Sequence, residues 1–322
     1  MKAHEDFYDR LMDKICSIEW NSLSPHEWEK RFNTLRRSNI LQCYTYALAL
    51  CPINQHSARW GLIKMNGAEA GLVQIMEVAL FKKAFHVVML DRGPLWFDGF
   101  GAREDWDAFF KVFNREFKPR LGRKRRIIPE TALEILPSAR KQPYPAYQTI
   151  WIDLTQSAED LRAALRKNWR SALKKAESFD LKLASDAPLK HLPWLLKHYQ
   201  LDKQRRKYRG AAPKTLTALA QHFAPLGNVL LLRARKDGRD IAAILIFIHG
   251  KAATYQIGWT SPDLGRKCNA HHYLLWQAMD MLKARGVEDL DLGGVNDLSA
   301  KGVKSFKEGL GGELIELCGQ YK

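Results

Sequence analysis

Three strand-length apolar runs, Ala58–Met65, Gly71–Leu80 and Ala84–Leu90, lie close together in the first half of the chain. Asn66-Gly67 separates the first two, and this dipeptide tolerates the left-handed backbone of a tight hairpin. A helical segment near Ile40–Leu50 precedes them. A helix of roughly Arg103–Phe117 follows, with Phe109, Phe110 and Phe113 on its apolar face. The second half repeats the layout with Asn228–Ala234, Ile241–His249 and Ala252–Trp259, turned at Asp237-Gly238 and Gly250-Lys251. A helix over about Ala270–Arg285 then carries Leu274, Leu275, Ala278, Met281 and Leu282 on one face of a 3.6-residue period. Antiparallel meander, crossover helix and further strand, twice over, predict an α/β chain of two tandem domains. Each is a mixed, mostly antiparallel sheet flanked by helices. Pro137–Pro145 marks the boundary, giving domains at 1–145 and 146–322.

Two helices have readable ends. Asn269 is placed to cap the start of the 270–285 helix, and Gly286 suits the position after its end. Ser157-Ala158-Glu159-Asp160 is a capping-box pattern opening a helix over Ala158–Ser178. Leu161, Leu165, Trp169 and Leu173 form its buried stripe. Arg162, Arg166, Arg170 and Lys174 recur at the same interval as a cationic stripe. Guanidinium forks suit phosphates, while the plainer reading is a solvated helix face.

The C-terminal run Val287–Gly312 carries the strongest chemical signal. It reads as a short buried strand alternating Asp289 and Asp291 with Leu290 and Leu292. A Gly293-Gly294 turn follows, then a polar loop and a short helix bearing Phe306-Lys307. Glycines at a strand exit let backbone approach a ligand closely, and the lysine offers a fixed cation to an oxyanion or phosphate. The pattern predicts a group-transfer site. Asp289 and Asp291 are candidate bases, although buried strand-end aspartates more often pair with backbone amides or arginines.

Charge widens the picture. The 322 residues hold 51 Lys+Arg against 35 Asp+Glu, a net charge of +16. Such an excess suits a polyanionic partner, whether tRNA, a nucleotide-linked substrate or an acidic membrane surface. A merely soluble basic surface is the alternative. Lys203, Arg205, Arg206, Lys207 and Arg209 interleave with Tyr199 and Tyr208, a mixture able to stack a ring and hold phosphate. A third basic cluster, Lys118–Arg126, reads as a charged connector, with an RNA-contacting patch as the alternative.

Several chemistries find no support. The five cysteines are scattered without a C-x-x-C pair, which suggests neither a disulfide framework nor a zinc site. His271 and His272 are adjacent on a helix, cannot share a metal as an i, i+4 pair could, and read as capping or packing. No G-x-S-x-G or P-loop signature occurs. The segment Thr260–Asn269, where ordinary acetyl-CoA enzymes carry a Gly-rich pyrophosphate loop, has one glycine, Gly265. The longest apolar run, Ile241–Ile248, is too short for a bilayer span, and the opening MKAHEDFYDR is no secretory signal. A cytoplasmic chain is expected, one that can work at the inner face of the membrane.

These residues resemble the FemABX family of aminoacyl-tRNA-dependent aminoacyltransferases, which look like two fused GNAT domains. Leu90-Asp91-Arg92-Gly93-Pro94 is similar to the family's R-G-P segment, and Ile127-Ile128-Pro129-Glu130 to its "I-x-P" strand end. Thr149–Leu154 is similar to its T-x-x-x-D-L opening, and Arg170–Ala176 to its R-x-x-I-R-K-A helix. Arg205–Tyr208 sits where the family has R-x-G-F. Asp291–Gly294 and Gly302–Lys307 resemble the closing D-x-G-G and G-x-x-x-F-K motifs. The aromatic residue that often follows R-x-G-F is absent here, with Thr215-Leu216 in its place, and no heptad-patterned helical arm interrupts the second domain.

The resemblance implies attack of an acceptor amine on the ester carbonyl of charged tRNA, forming an amide. The acceptor would be a nucleotide- or lipid-linked cell-wall precursor, which allows peripheral membrane association. Lys307 would stabilise the oxyanion or the leaving 3′ end, and Phe306 would orient it or stack on the terminal adenine. Arg205 and Tyr208 would hold the acceptor's phosphates or sugar, with Tyr255, Arg92, Gly293 and Gly294 as further substrate contacts. Neither a metal nor a cofactor beyond the aminoacyl-tRNA donor is implied. An acyl-CoA-dependent N-acyltransferase acting on a cell-surface sugar or small amine, and a non-catalytic RNA-binding protein, are the alternatives.

Overall fold

The computed structural model describes residues 14–136, 140–185, 189–208, 210–295 and 301–322. These residues form two mixed α/β units, one from the described parts of 14–35, 55–144 and 317–322, the other from those of 36–54 and 145–316. A single cut at 145/146 therefore omits two exchanged segments, 36–54 and 317–322.

The first unit begins with β1 (Cys16–Trp20) and α1 (Pro25–Phe32), the latter entered through a Ser24–Glu27 capping box. The chain then leaves for a 3-10 turn, Ile40–Gln42, and α2 (Tyr44–Asn54), which belong to the second unit. It returns as β2 (Ser57–Met65), β3 (Ala68–Leu80), β4 (Phe85–Asp91) and the short β5 (Leu95–Trp96). Asn66 and Gly67 take φ of 49° and 86°, as the hairpin between β2 and β3 requires. Helix α3 (Arg103–Glu116) leads to β6 (Arg123–Ile128). Sheet order is β1-β2-β3-β4-β6, with β5 on β3 and the final β4–β6 pair parallel. Trp106, Phe109, Phe110 and Phe113 pack on Ile63, Val73, Ile75, Val88 and Ile127 to make its core. The expected connector Lys118–Arg126 is in fact half strand, because from Arg123 onward it pairs with β4.

The second unit is a seven-stranded sheet ordered β13-β7-β12-β11-β10-β9-β8. Its chain runs β7 (Gln148–Asp153), α4 (Ala158–Ala164), α5 (Lys167–Glu177), β8 (Lys182–Ser185), α6 (Leu192–Arg206) and α7 (Pro213–Phe223). It continues through β9 (Val229–Lys236), β10 (Arg239–His249), β11 (Ala252–Thr260), α8 (Leu264–Lys267) and α9 (Ala270–Ala284). It ends with β12 (Asp289–Asp291), α10 (Lys301–Glu308) and β13 (Glu313–Glu316). Trp169, Leu173, Leu274, Leu275 and Leu282 close one buried core over Ile150, Ile152, Ile244 and Ile246. The longest helices among the described residues, α6 and α9, have 15 residues each.

Two local expectations need correction. The segment Ala158–Ser178 is two helices, broken where Leu165 and Arg166 are extended. Arg170 Nη2 donates to the carbonyls of Ala163 and Leu165, both at 2.9 Å, and so closes the end that the break exposes. Asn269 does not cap α9 through its side chain; it is itself left-handed, φ 50°.

Candidate functional site

Among the described residues, strands β11 and β12 are the one parallel pair in the second sheet. They are in register only at Ala252↔Asp289, Ala253↔Leu290 and Thr254↔Asp291. Beyond that point the strands separate, and Gly293, at φ 71°, turns its chain away. Asp291 holds the turn: its carboxylate accepts from the Gly293 amide at 2.7 Å and from the Thr149 hydroxyl. Asp289, also fully buried, accepts from Arg36 Nε at 3.0 Å and Arg37 Nε at 3.3 Å. Both aspartates are thus committed to positioning chain, and neither is disposed as a base.

Lys307 fills the fork. Its ammonium donates to the carbonyls of Gly293 at 3.3 Å and Gly294 at 3.0 Å, and lies 5.7 Å from the centroid of the Tyr255 ring. The side chain of α10 that carries it is buried. Desolvation lowers its pKa to about 8, against an opposing pull from Asp291. The result is a cation poised to gain or lose its proton near neutrality, with two of its three protons held by backbone.

A β-bulge places the phenol beside it. Ile246 opposes Tyr255 while Leu245 opposes Ile257, so Gln256 is an extra residue in β11. The insertion brings Tyr255, Gly258 and Thr260 onto one face. Tyr255 Oη lies 3.0 Å from His271 Nε2, and Thr260 Oγ1 lies 2.9 Å from His271 Nδ1. A Cβ at Gly258 would overlap both the phenol oxygen and the imidazole, so the contact depends on glycine there. Tyr255 and His271 retain partial surface exposure but are otherwise enclosed by protein. Burial lowers the His271 pKa to about 3, helped by His272 and Lys307. The imidazole is therefore neutral, with one N–H. If Tyr255 donates to Nε2, Nδ1–H donates to Thr260, and the tyrosine oxygen keeps its lone pairs for a ligand. Burial also raises the Tyr255 pKa, with smaller contributions from Tyr208 and Tyr199.

His271 and Thr260 were missed in the sequence. The adjacent histidines read as packing, and that holds for His272, whose ring lies 4.7 Å from Trp169 and 4.9 Å from Phe306 between centroids. The signal available was a glycine three residues after a strand tyrosine, facing the first turn of the following helix.

The remaining candidates are placed as follows. Phe306 packs against the core beside Trp169, His271 and His272, so it anchors α10 rather than touching the lysine's ammonium. Gly294 lies against the Tyr147 ring. Tyr208 stands 6.2 Å from Tyr199 between centroids, and both phenols act on Tyr255. Arg205 is 60% exposed at the end of α6 and shares Asp202 with Arg206, while Lys203 folds back to the Gly210 carbonyl. Arg209 lies outside the described residues. Arg92, in the first unit, is buried in a two-pronged pair with Glu130, which joins the two first-half motif segments. In the cationic stripe, Arg162 pairs with Glu177 and Arg166 with Glu308.

The α8 loop has its amides spent. Those of Gly265, Arg266, Lys267, Cys268 and Asn269 all donate within the loop. Among the described residues no cluster of three or more His, Cys, Asp or Glu is arranged to hold a metal. A cleft of about 360 Å³ elsewhere in this unit is lined by Arg37, Trp151, Asp153, Gln156 and Glu313. It is crossed by the Arg37–Glu313 ion pair and has no part of the fork.

The sequence matches the acetyltransferase (GNAT) domain family over residues 160–308. Among solved structures, FemX superposes with a TM-score of 0.76 over 94% of this chain and 96% of its own, at 13% identity. The chain has a FemX-type fold. A conserved protein of unknown function from Bacteroides thetaiotaomicron VPI-5482 is also similar, with a TM-score of 0.58 over 94% of this chain and 97% of its own, at 10% identity. No curated protein matches the sequence. Among the described residues no helix is long and apolar enough to cross a membrane.

Proposed function

We propose that this protein is an aminoacyltransferase that passes an amino acid from charged tRNA to an acceptor amine on a peptidoglycan precursor. The observation that carries the reading is Lys307, a buried cation with a lowered pKa, held by two carbonyls in the opening between β11 and β12. An aminoacyl ester is already activated, so the site has to align two reactants and stabilise charge rather than form a covalent intermediate. The acceptor nitrogen bonds to the ester carbonyl carbon. The developing oxyanion takes the remaining Lys307 proton as a hydrogen bond, and the carbon–oxygen ester bond breaks. The amine's proton leaves with the ribose oxygen of the tRNA. Tyr255, its own proton directed at His271, accepts an N–H of the amine and sets its approach. His271, with a pKa of about 3, is too weak a base to take the proton at neutral pH and serves to aim the phenol.

The GNAT match is common to tRNA and acyl-CoA donors. The α8 loop favours tRNA, because its amides are already bonded and offer no cradle to a pyrophosphate. The net charge of +16 agrees with a polyanionic donor. Incubation with charged tRNA or acyl-CoA and candidate amines, read by mass spectrometry, tests the reading. Amide formation from acyl-CoA alone would replace it with the N-acyltransferase alternative.

A further inference from the structure

Two surface loops of the first unit converge on one tip. The β3–β4 connection presents Leu80, Phe81 and Phe85, which are 56%, 78% and 60% exposed, and the α3–β6 connection presents Leu121, 98% exposed. Leu121 and Phe81 are the most exposed large apolar side chains among the described residues. The loops are locked together. Arg120 donates to the Lys83 carbonyl, the His86 amide donates to the Gly122 carbonyl at 2.8 Å, and a Cβ at Gly122 would overlap the Ala84 carbonyl. Phe81, Lys82 and Lys83 have φ of 49°, 53° and 70°, three successive side chains in a region that non-glycine residues seldom occupy. Such a backbone is kept at a cost to local stability, and here its visible effect is to project aromatic and cationic groups into solvent.

The two loops themselves carry charge of one sign, the nearby Glu116 being paired with Arg59 and Glu77 with Arg59 and His86. Residues 80–85 and 117–124 contain Lys82, Lys83, Lys118, Arg120, Arg123 and Lys124 and not one acidic residue. We propose that this tip docks the protein on an anionic lipid bilayer, the apolar apex entering the headgroup region and the cations meeting lipid phosphates. Apolar groups inserted at a membrane surface and basic groups beside it add their effects. A protein partner would need a complementary groove for a protruding wedge. An RNA would make no use of Leu80 and Leu121, which offer neither a ring face nor a hydrogen bond. The inference rests on this surface alone and is independent of the transferase reading.

The test is co-sedimentation of the full chain with phosphatidylcholine vesicles, with and without phosphatidylglycerol. Binding is expected only with phosphatidylglycerol and should weaken as salt rises. Lys82→Glu with Lys83→Glu should lower it about 25-fold or more, from roughly fivefold per cation removed. Phe81→Ser with Leu121→Ser should lower it about tenfold or more, with the melting temperature unchanged because both sites are exposed. In Phe81→Trp, the new indole should shift its emission to the blue when anionic vesicles are added. Sedimentation indifferent to phosphatidylglycerol, or unaffected by Phe81→Ser with Leu121→Ser, would overturn the proposal. The same substitutions weakening tRNA binding while sparing vesicle binding would also overturn it and make the tip an RNA contact.

Discussion

Tyr255 Oη and His271 Nε2 lie 3.0 Å apart, in space that exists because residue 258 has no side chain. The hydrogen bond gives a tyrosine beside a buried lysine one defined direction. It does so with an imidazole that stays neutral across the physiological range. Orientation, rather than basicity, is what the pair supplies.

Gly258→Ala is therefore expected to act on turnover more than on folding. The new methyl must displace the phenol or the imidazole, an overpacking that costs about 1–3 kcal/mol. Transfer kcat should fall by roughly tenfold or more as the tyrosine loses its direction, since small misplacements in an active site are expensive. Tyr255→Phe should show a similar loss of kcat with less loss of stability. Urea denaturation and single-turnover transfer assays separate the two. A folded Gly258→Ala protein with wild-type kcat would remove the pair from the reaction.

Asp289 offers a contrasting prediction about the frame of the site. Its carboxylate is fully buried, and its partners Arg36 and Arg37 come from the segment that crosses into the second unit ahead of α2. Removing both arginines leaves an unpaired buried charge, which should cost about 3–5 kcal/mol. Asp289→Asn leaves no such charge, and the two arginines, 48% and 36% exposed, can turn to water. It should cost distinctly less. Urea midpoints of Arg36→Ala with Arg37→Ala and of Asp289→Asn would show the order, and equal losses would contradict it.

These relationships also mark what could be read from the chain alone. The β2–β3 and β9–β10 hairpins were legible because apolar runs end at Asn66-Gly67 and Asp237-Gly238, a signal contained in a few residues. The break at Leu165–Arg166 was not, since Leu161 and Trp169 keep the helical interval across it and the Arg170 contacts that close it span the gap in space. The partners of Asp289 lie some 250 residues away in sequence, beyond any local pattern. Of the fork, the strand, glycine pair and following helix were readable. The Gln256 bulge was not: it follows from pairing with β10, and without it Tyr255 would not share a face with Gly258 and Thr260.

Lys307 yields a prediction in which stability and activity respond to pH in opposite senses. Burial lowers its pKa from 10.5 to about 8, so the unfolded chain binds this proton more tightly than the folded one. The penalty for burying the cation is full below about pH 8 and is relieved as pH rises toward the ordinary lysine value. The change is of the order of 3 kcal/mol. Wild-type stability should accordingly gain on that of Lys307→Met between pH 7.5 and about 10, as read by urea denaturation at each pH. Transfer should respond the other way. If the cation meets the oxyanion, wild-type kcat falls as pH rises through about 8. Lys307→Arg, whose guanidinium keeps its proton, lacks that descending limb, and Lys307→Met loses roughly 10²–10³-fold in kcat. A stability difference that stays flat with pH would mean that Lys307 is not desolvated. Wild-type turnover in a folded Lys307→Met protein would exclude it from the chemistry.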